Sequence, residues 1–314
     1  MRRLAVAALA VGLAALVWTF LPWDLDPGAY GAASIPAGAP PVPAVAVELS
    51  IVRTASIATI DAFAYRGGRP WRQRTMAVSA VLVRHPRATL LFDTGLGSAA
   101  GAQFAGNPFW ARKLLGYEMA STAAEQLRSA GVDPASVSMI VLSHIHWDHA
   151  SGILDFPGAE VLTTREEHAF GLSAGRPAVI REQFDAPSVR WRFVTLEGPP
   201  YEGFATSLDL FADGSVVLVP LPGHTPGSLG MFVNLASGRR FLFTGDLTWA
   251  REGIERPAER PLLSRLLVDR DPAMARKAIV SVHQLCKRRP ELVVVPAHDA
   301  AAQARVATFP ELDR

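Results

Sequence analysis

The sequence predicts an α/β body in which helices cover the faces of β-sheets. Two observations point there. Short apolar runs rich in Val and Leu recur through both halves of the chain, bounded by Gly, Pro, Asp or Thr as strands are. Between them lie stretches whose apolar residues return at helical spacing. Strands meeting helices in both halves suggest stacked layers around one core. With 314 residues, 49% hydrophobic and 19% charged, the chain has an ordinary globular composition and can bury such a core without disulfides.

The first segment, residues 1–22, is of another kind. Met1-Arg2-Arg3 is followed by an uncharged apolar run from Leu4 to Leu21. This reads as a signal peptide or as an N-terminal membrane anchor. The run is long for a signal, and YGAAS at 30–34 is a fair cleavage site, so the two readings stay open. Two N-terminal arginines favour an N-inside orientation, which would export the rest: periplasmic or secreted if the segment is cleaved, anchored with its body outside the cytoplasm if it is retained. Having no neighbouring cysteine, the run cannot be a lipoprotein anchor. Residues 23–45 carry Pro27, Pro36, Pro40, Pro41 and Pro43 among Gly and Ala and read as a flexible or extended linker. The folded body is expected over 46–314.

Within it, VSAVLV (78–83) and ATLLFDTG (88–95) read as paired strands around RHPR. STAAEQLRSAG (121–131) has helical spacing and stops at Gly131. VSMIVLSH (137–144) is a buried strand running into a histidine cluster, AEVLTT (159–164) is another strand, and REEHAF (165–170) begins a helix. VVLVPLPGHT (216–225), LGMFVNL (229–235) and RRFLFTGD (239–246) are strands. A helix over 272–289 follows, with Asp271 as N-cap and Pro272 at its first position, and ELVVVPAHD (291–299) is the last strand.

Charge excludes one class of partner. The net charge is +2, and the basic clusters Arg239-Arg240 and Lys287-Arg288-Arg289 are short, so no nucleic-acid surface is indicated. The single cysteine, Cys286, lies in an amphipathic stretch and reads as a small packed hydrophobe.

The chemistry-bearing residues fall at strand ends: Asp93 in LFDTG, then His144, His146, Asp148 and His149 in SHIHWDHASG, His224 in PLPGHTPGS, Asp246 in FLFTGDLTW and His298 in VVVPAHD. Strand ends converging on one crevice are where α/β proteins build sites. Five imidazoles with the carboxylates of Asp148 and Asp246, without a thiolate nearby, suit zinc, iron or manganese. His144 and His146 are two apart and share a side of an extended segment, whereas Asp148 and His149 are adjacent and point differently, so one segment can serve two ions. His85, His168 and His283 stand alone and read as ordinary core or surface histidines.

This pattern resembles the metallo-β-lactamase superfamily from about Val78 to the C-terminus. The resemblance implies a four-layer αββα sandwich holding two metal ions, two zinc ions in the first instance, with Fe or Mn as alternatives. It implies one ion on His144, His146 and His224, a second on Asp148, His149 and His298, Asp246 between them, and Asp93 fixing a ligand histidine. Common β-lactamases carry Cys where this chain has Asp246, which argues against that activity. The C-terminal portion from Asp271 to FPEL resembles the N-acyl-homoserine lactonase branch. That branch implies a small-molecule lactone or ester substrate opened by a metal-bridging hydroxide, with Asp148 and Asp246 as the catalytic carboxylates, and a homodimer is compatible with it. One departure is plain: the branch usually has Tyr three residues after the bridging Asp, and here that residue is Trp249. A phosphotriesterase or a glyoxalase-II-like thioesterase would use the same metal pattern, and an iron sulfur dioxygenase would use one ion. Residues 101–118 are aromatic; Phe104, Phe109 and Trp110, with Trp249, are candidates for the wall of a substrate pocket, or for plain packing on the domain.

Overall fold

Side-chain alternation along the strands decides how the layers stack. The computed structural model describes residues 6, 12–14, 16–31 and 33–314. Its strands are β1 (Glu48–Ile60), β2 (Gln73–His85), β3 (Ala88–Phe92), β4 (Tyr117–Met119), β5 (Val137–Val141), β6 (Glu160–Thr163), β7 (Arg190–Phe193), β8 (Leu208–Asp209), β9 (Val216–Pro220), β10 (Leu229–Asn234), β11 (Arg240–Phe243) and β12 (Val293–Val295). They form a seven-stranded sheet in the order β4-β1-β2-β3-β5-β6-β7 and a five-stranded sheet in the order β12-β11-β10-β9-β8.

Alternate residues of each sheet face the other. Leu49, Ile51, Val81, Val83, Leu90 and Phe92 from the first meet Leu218, Met231, Val233, Phe241 and Phe243 from the second in one buried cluster. The residues between them point outward. Val52, Ala80, Leu82 and Leu91 pack against Ala124 and Leu127 of the helix Ala123–Ser129. Val217, Val219, Phe232 and Leu242 pack against Ile279, Val282 and Leu285 of the helix Pro272–Arg288. Two sheets face to face with helices on both outer surfaces make the four-layer αββα sandwich that the resemblance implied.

Local signals set the helix starts. Thr122 and Glu125 form a reciprocal capping box on Ala123–Ser129. Asp271 caps Pro272–Arg288 by accepting from the amides of Ala273 and Met274, as expected. The aromatic stretch 101–118 folds as two short helices, Ala100–Ala105 and Phe109–Leu114, leading into β4.

The Pro-rich residues 23–45 lie along the body. Pro27–Tyr30 is a 3-10 turn capped by Asp26. The Leu25 amide donates to Pro257 O, and Gln284 brackets the segment by accepting from the Ala33 amide and donating to Gly31 O. The buried Arg289 guanidinium donates to the carbonyls of Pro36 and Gly38. The apolar run Leu4–Leu21 falls partly outside the described residues; among those described, no helix is long and apolar enough to cross a membrane.

Candidate metal centre

Five strand ends carry the predicted site residues into one crevice. β3 ends at Asp93, β5 at the loop 142–146, β9 at the turn with His224, β11 at Gly245-Asp246 and β12 at the segment leading to His298. Two backbone features hold these loops close. Gly223 has φ +135, and a Cβ there would lie 2.3 Å from the Ala275 amide nitrogen. Its carbonyl accepts from the amides of Arg270 and Asp271, which pins the His224 turn to the start of the helix Pro272–Arg288. Gly245 has φ +52, and a Cβ there would stand 2.8 Å from Ser143 Cβ, so only glycine lets the Asp246 loop meet the histidine loop.

The structure brings all seven predicted ligands together, each of them buried. Their donor atoms lie within 4.8 Å of one another in three groups: His144, His146 and His224; His144, His149 and Asp246; and Asp148, His149 and His298. Asp246 spans the groups. Its Oδ2 is 3.5 Å from His224 Nε2, and its Oδ1 is 3.1 Å from His298 Nε2 and 3.4 Å from His149 Nε2. Asp148 Oδ2 lies 3.3 Å from His298 Nε2.

Three histidines are oriented from behind. Asp93 Oδ2 accepts from His149 Nδ1 at 2.8 Å and from Ser143 Oγ at 2.7 Å, while its Oδ1 accepts from the Ser143 amide. His298 Nδ1 donates to Ala77 O at 2.7 Å, and His224 Nδ1 donates to Asp269 Oδ1 at 3.0 Å. A carboxylate or carbonyl brings no proton, so each Nδ1 must carry one. Each Nε2 is thereby turned into the crevice, where it can give its lone pair to a metal ion once it carries no proton.

Several donor atoms that converge in the crevice have no partner, although His224 Nε2 and His146 Nδ1 lie 2.9 Å apart. Nε2 of His144, His146 and His149, and Oδ1 of Asp246, are buried without a hydrogen bond. Imidazole nitrogens and carboxylate oxygens converging in a buried crevice are costly unless a cation is shared among them, and this donor set suits a divalent ion. The electrostatics divide the histidines into two pairs. Burial, then neighbouring imidazoles, hold His144 and His146 well below the ordinary histidine range, so their lone pairs are free. At His149 and His298 burial opposes the charge, but Asp93, Asp148 and Asp246 outweigh it at His149, and Asp246 and Asp148 at His298, raising both. Burial likewise opposes the Asp246 charge, and His298 and His149 overcome it, holding that carboxyl well below the usual range.

A pocket opens beside the cluster. Its wall is apolar, formed by Ile57, Phe63, Met76, Trp110, Leu114, Leu115, Trp147, Leu267 and Val268, and its polar end is His146, Asp148, Asp246 and His298, with Trp249 beside them. Of the aromatics singled out in the sequence, Trp110 and Trp249 line this pocket. Phe104 and Phe109 do not. Phe104 is buried behind the wall, its ring 4.7 Å from that of Trp147, and Phe109 is 72% exposed. Short-range alternation on a helix of six residues explains the split, since Phe109 and Trp110 cannot face the same way.

Sequence reasoning did not find Asp269, Arg260, Ser143 or Glu167. Asp269 holds His224, and Arg260 donates to Asp269 Oδ1 at 2.8 Å and to the Asp246 carbonyl. Glu167 accepts from the amides of Ile145 and Gly227, tying the histidine loop to the His224 turn, and burial pushes its carboxyl up to about 7. Each lies on a loop or helix start where polar and charged residues are commonplace, so its contacts with residues distant in sequence are what reveal it.

Residues 74–298 match the metallo-β-lactamase superfamily, and with this sandwich and this cluster the chain belongs to it. The chain is similar to N-acyl homoserine lactonase AttM of Rhizobium radiobacter, 28% identical over 192 residues that cover 60% of this chain and 67% of that protein. It is also similar to the probable metallo-hydrolase Rv2300c of Mycobacterium tuberculosis, 33% identical over 193 residues, 57% of this chain and 60% of that one. Among solved structures, an N-acyl homoserine lactone hydrolase with the product N-hexanoyl-L-homoserine at its catalytic metal centre superposes with a TM-score of 0.66, at 19% identity, over 87% of this chain and all of that one.

Proposed function

We propose that this metal-dependent hydrolase opens the ring of an N-acyl lactone with an apolar acyl chain, using two metal ions. His144, His146 and His224 would hold one ion, Asp148, His149 and His298 the other, and Asp246 would lie between them; the grouping of donor atoms supports that division. Zinc suits the donors, with iron or manganese as alternatives. Ions bound there supply a Lewis acid for the ester carbonyl and a water acidified towards ~7.

The observation that carries the substrate class is the pocket. An apolar wall leads straight to the acceptor cluster, and none of the described lining residues is Lys or Arg. Such a wall takes a hydrocarbon chain and offers nothing to the carboxylates of a glutathione thioester. An acyl chain along Leu114, Leu267 and Met76 would leave the ring for the polar end of the same pocket, where Asp148 and His298 lie. Hydrolysis adds one water: its oxygen joins the acyl carbon, the acyl C–O bond breaks, and a proton must reach the departing ring oxygen. Asp148 and Asp246 both line the polar end of the pocket, and with Asp246 assigned between the ions, Asp148 is the carboxylate left to take a proton from the water and return it to that alkoxide. The lactonase relative and the product-bound structure of the same fold support the reading.

The test is turnover of N-decanoyl homoserine lactone by zinc-loaded protein. Ring opening that a chelator abolishes and zinc restores is expected. Protein that holds two zinc ions yet turns over phosphotriesters or thioesters and no lactone would replace this reading with one of those.

A further inference from the structure

We infer that Trp249 is a positioning residue whose indole N–H fixes the Asp246 carboxylate between the two metal positions. The inference rests on the two-metal reading but not on the lactone substrate. Trp249 Nε1 lies 2.7 Å from Asp246 Oδ2. An indole has one donor, no acceptor and no titratable proton, so this bond commits its only polar function. Position 249 therefore supplies no proton to a leaving group and no free donor to a carbonyl, and the acid step falls to Asp148.

The ring is built in rather than draped over the site. Trp249 is 6% exposed. The Arg260 guanidinium lies over it at 4.6 Å, and the Phe63 ring stacks on it at 5.8 Å. Arg260 also donates to the Asp246 main-chain carbonyl. Asp246 is thus held twice, its side chain by the indole and its main chain by the cation that lies over the indole. A carboxylate oxygen has two lone-pair directions, so Oδ2 can accept from Trp249 and still face the His224 side, while Oδ1, without a hydrogen-bond partner, is left to the His149 and His298 side. A carboxylate that must bridge loses affinity if it can rotate, and one fixed donor removes that freedom.

Trp249→Phe keeps an aromatic ring for Arg260 and Phe63 while removing the N–H together with part of the indole's buried volume. Zinc affinity, measured by competition with a chromophoric chelator, should fall about 10- to 100-fold, and Trp249→Tyr, which loses nearly the same buried volume, controls for the cavity. Trp249→Tyr, whose hydroxyl can donate, should recover part of that loss. In the parent, the indole resonance absent from the variants should exchange slowly with solvent in both zinc-free and zinc-loaded protein. Unchanged zinc affinity in folded Trp249→Phe overturns the inference. Should that variant not fold, rapid exchange of the Trp249 indole proton in the parent overturns it instead. Parent protein that binds two zinc ions but opens no lactone leaves this inference standing and removes only the substrate assignment.

Discussion

Asp269 Oδ1 accepts from His224 Nδ1 at 3.0 Å and from Arg260 Nη1 at 2.8 Å. One oxygen therefore orients a ligand histidine and neutralises a buried cation, with both side chains of the ion pair no more than 3% exposed. Burial opposes the Asp269 charge, and Arg260 and His224 outweigh it, keeping the carboxyl below the usual range. Asp269→Asn retains an acceptor for His224 but loses the charge. It should lower zinc affinity about 10- to 100-fold. Asp269→Ala leaves Arg260 buried without its partner and should also cost about 3–5 kcal/mol of stability. Chelator competition and thermal unfolding separate the two effects, and an Asp269→Asn protein with parental zinc affinity would sink the orienting role.

Asp93 carries the same argument on the other side of the cluster. It has φ +58, a conformation that Asn tolerates and Ala resists. Asp93→Asn should fold and lose zinc on the His149 side, because an amide holds the Nδ1 proton less well than a carboxylate. Asp93→Ala should show the same loss plus a strain cost of about 1 kcal/mol. Metal analysis after dialysis, read beside the unfolding midpoint, checks both. Equal stability of the two variants would refute the backbone part.

The contrast between Asp93 and Asp269 shows what the sequence made legible. Asp93, the histidine cluster, His224, Asp246 and His298 each end an apolar strand, so a strand-by-strand reading finds them. The apolar runs of β2, β3 and β10 announce buried strands but not how the sheets stack, and the sandwich followed from the resemblance. Asp269 follows a short helix, and its bond to His224 spans 45 residues. Nothing local in VDRDP distinguishes it from a turn aspartate. β1 was not anticipated as a strand of 13 residues, since its run from Glu48 to Ile60 mixes Arg53, Thr54 and Ser56 with apolar residues and gains its place only by pairing with β2. Phe109 and Trp110 could not be sorted by composition either, because the turn of a six-residue helix decides which of them meets the pocket.

That sorting makes the pocket wall testable. Trp110, though half exposed, lines the pocket, so Trp110→Ala removes apolar surface beside the proposed acyl chain, whereas Phe109 does not line it. For a decanoyl substrate Trp110→Ala should reduce kcat/KM by about tenfold, mostly through KM. A butanoyl substrate should be affected by about twofold or less, and Phe109→Ala should leave both unchanged. A uniform loss across chain lengths in Trp110→Ala would mean that the residue supports the site generally and does not read the chain.

Cys286 offers a probe that is independent of metal and substrate. It lies on the helix Pro272–Arg288, whose inner face covers the outer side of the second sheet, and it packs against that apolar cluster. Burial pushes its thiol up to about 11. The thiolate is the reactive form, so raising the pKa slows alkylation wherever the pH lies below it. At pH 8 about 0.1% of such a thiol is ionised, against about a quarter for an unperturbed one near 8.5. Alkylation of the folded protein by iodoacetamide should therefore be more than a hundredfold slower than in guanidinium, and it should rise about tenfold per pH unit between 8 and 10. Because Cys286 is the single cysteine, one mass shift reports the reaction. Labelling of folded protein at pH 8 at the rate of the unfolded chain would show that this helix does not hold its place on the sheet.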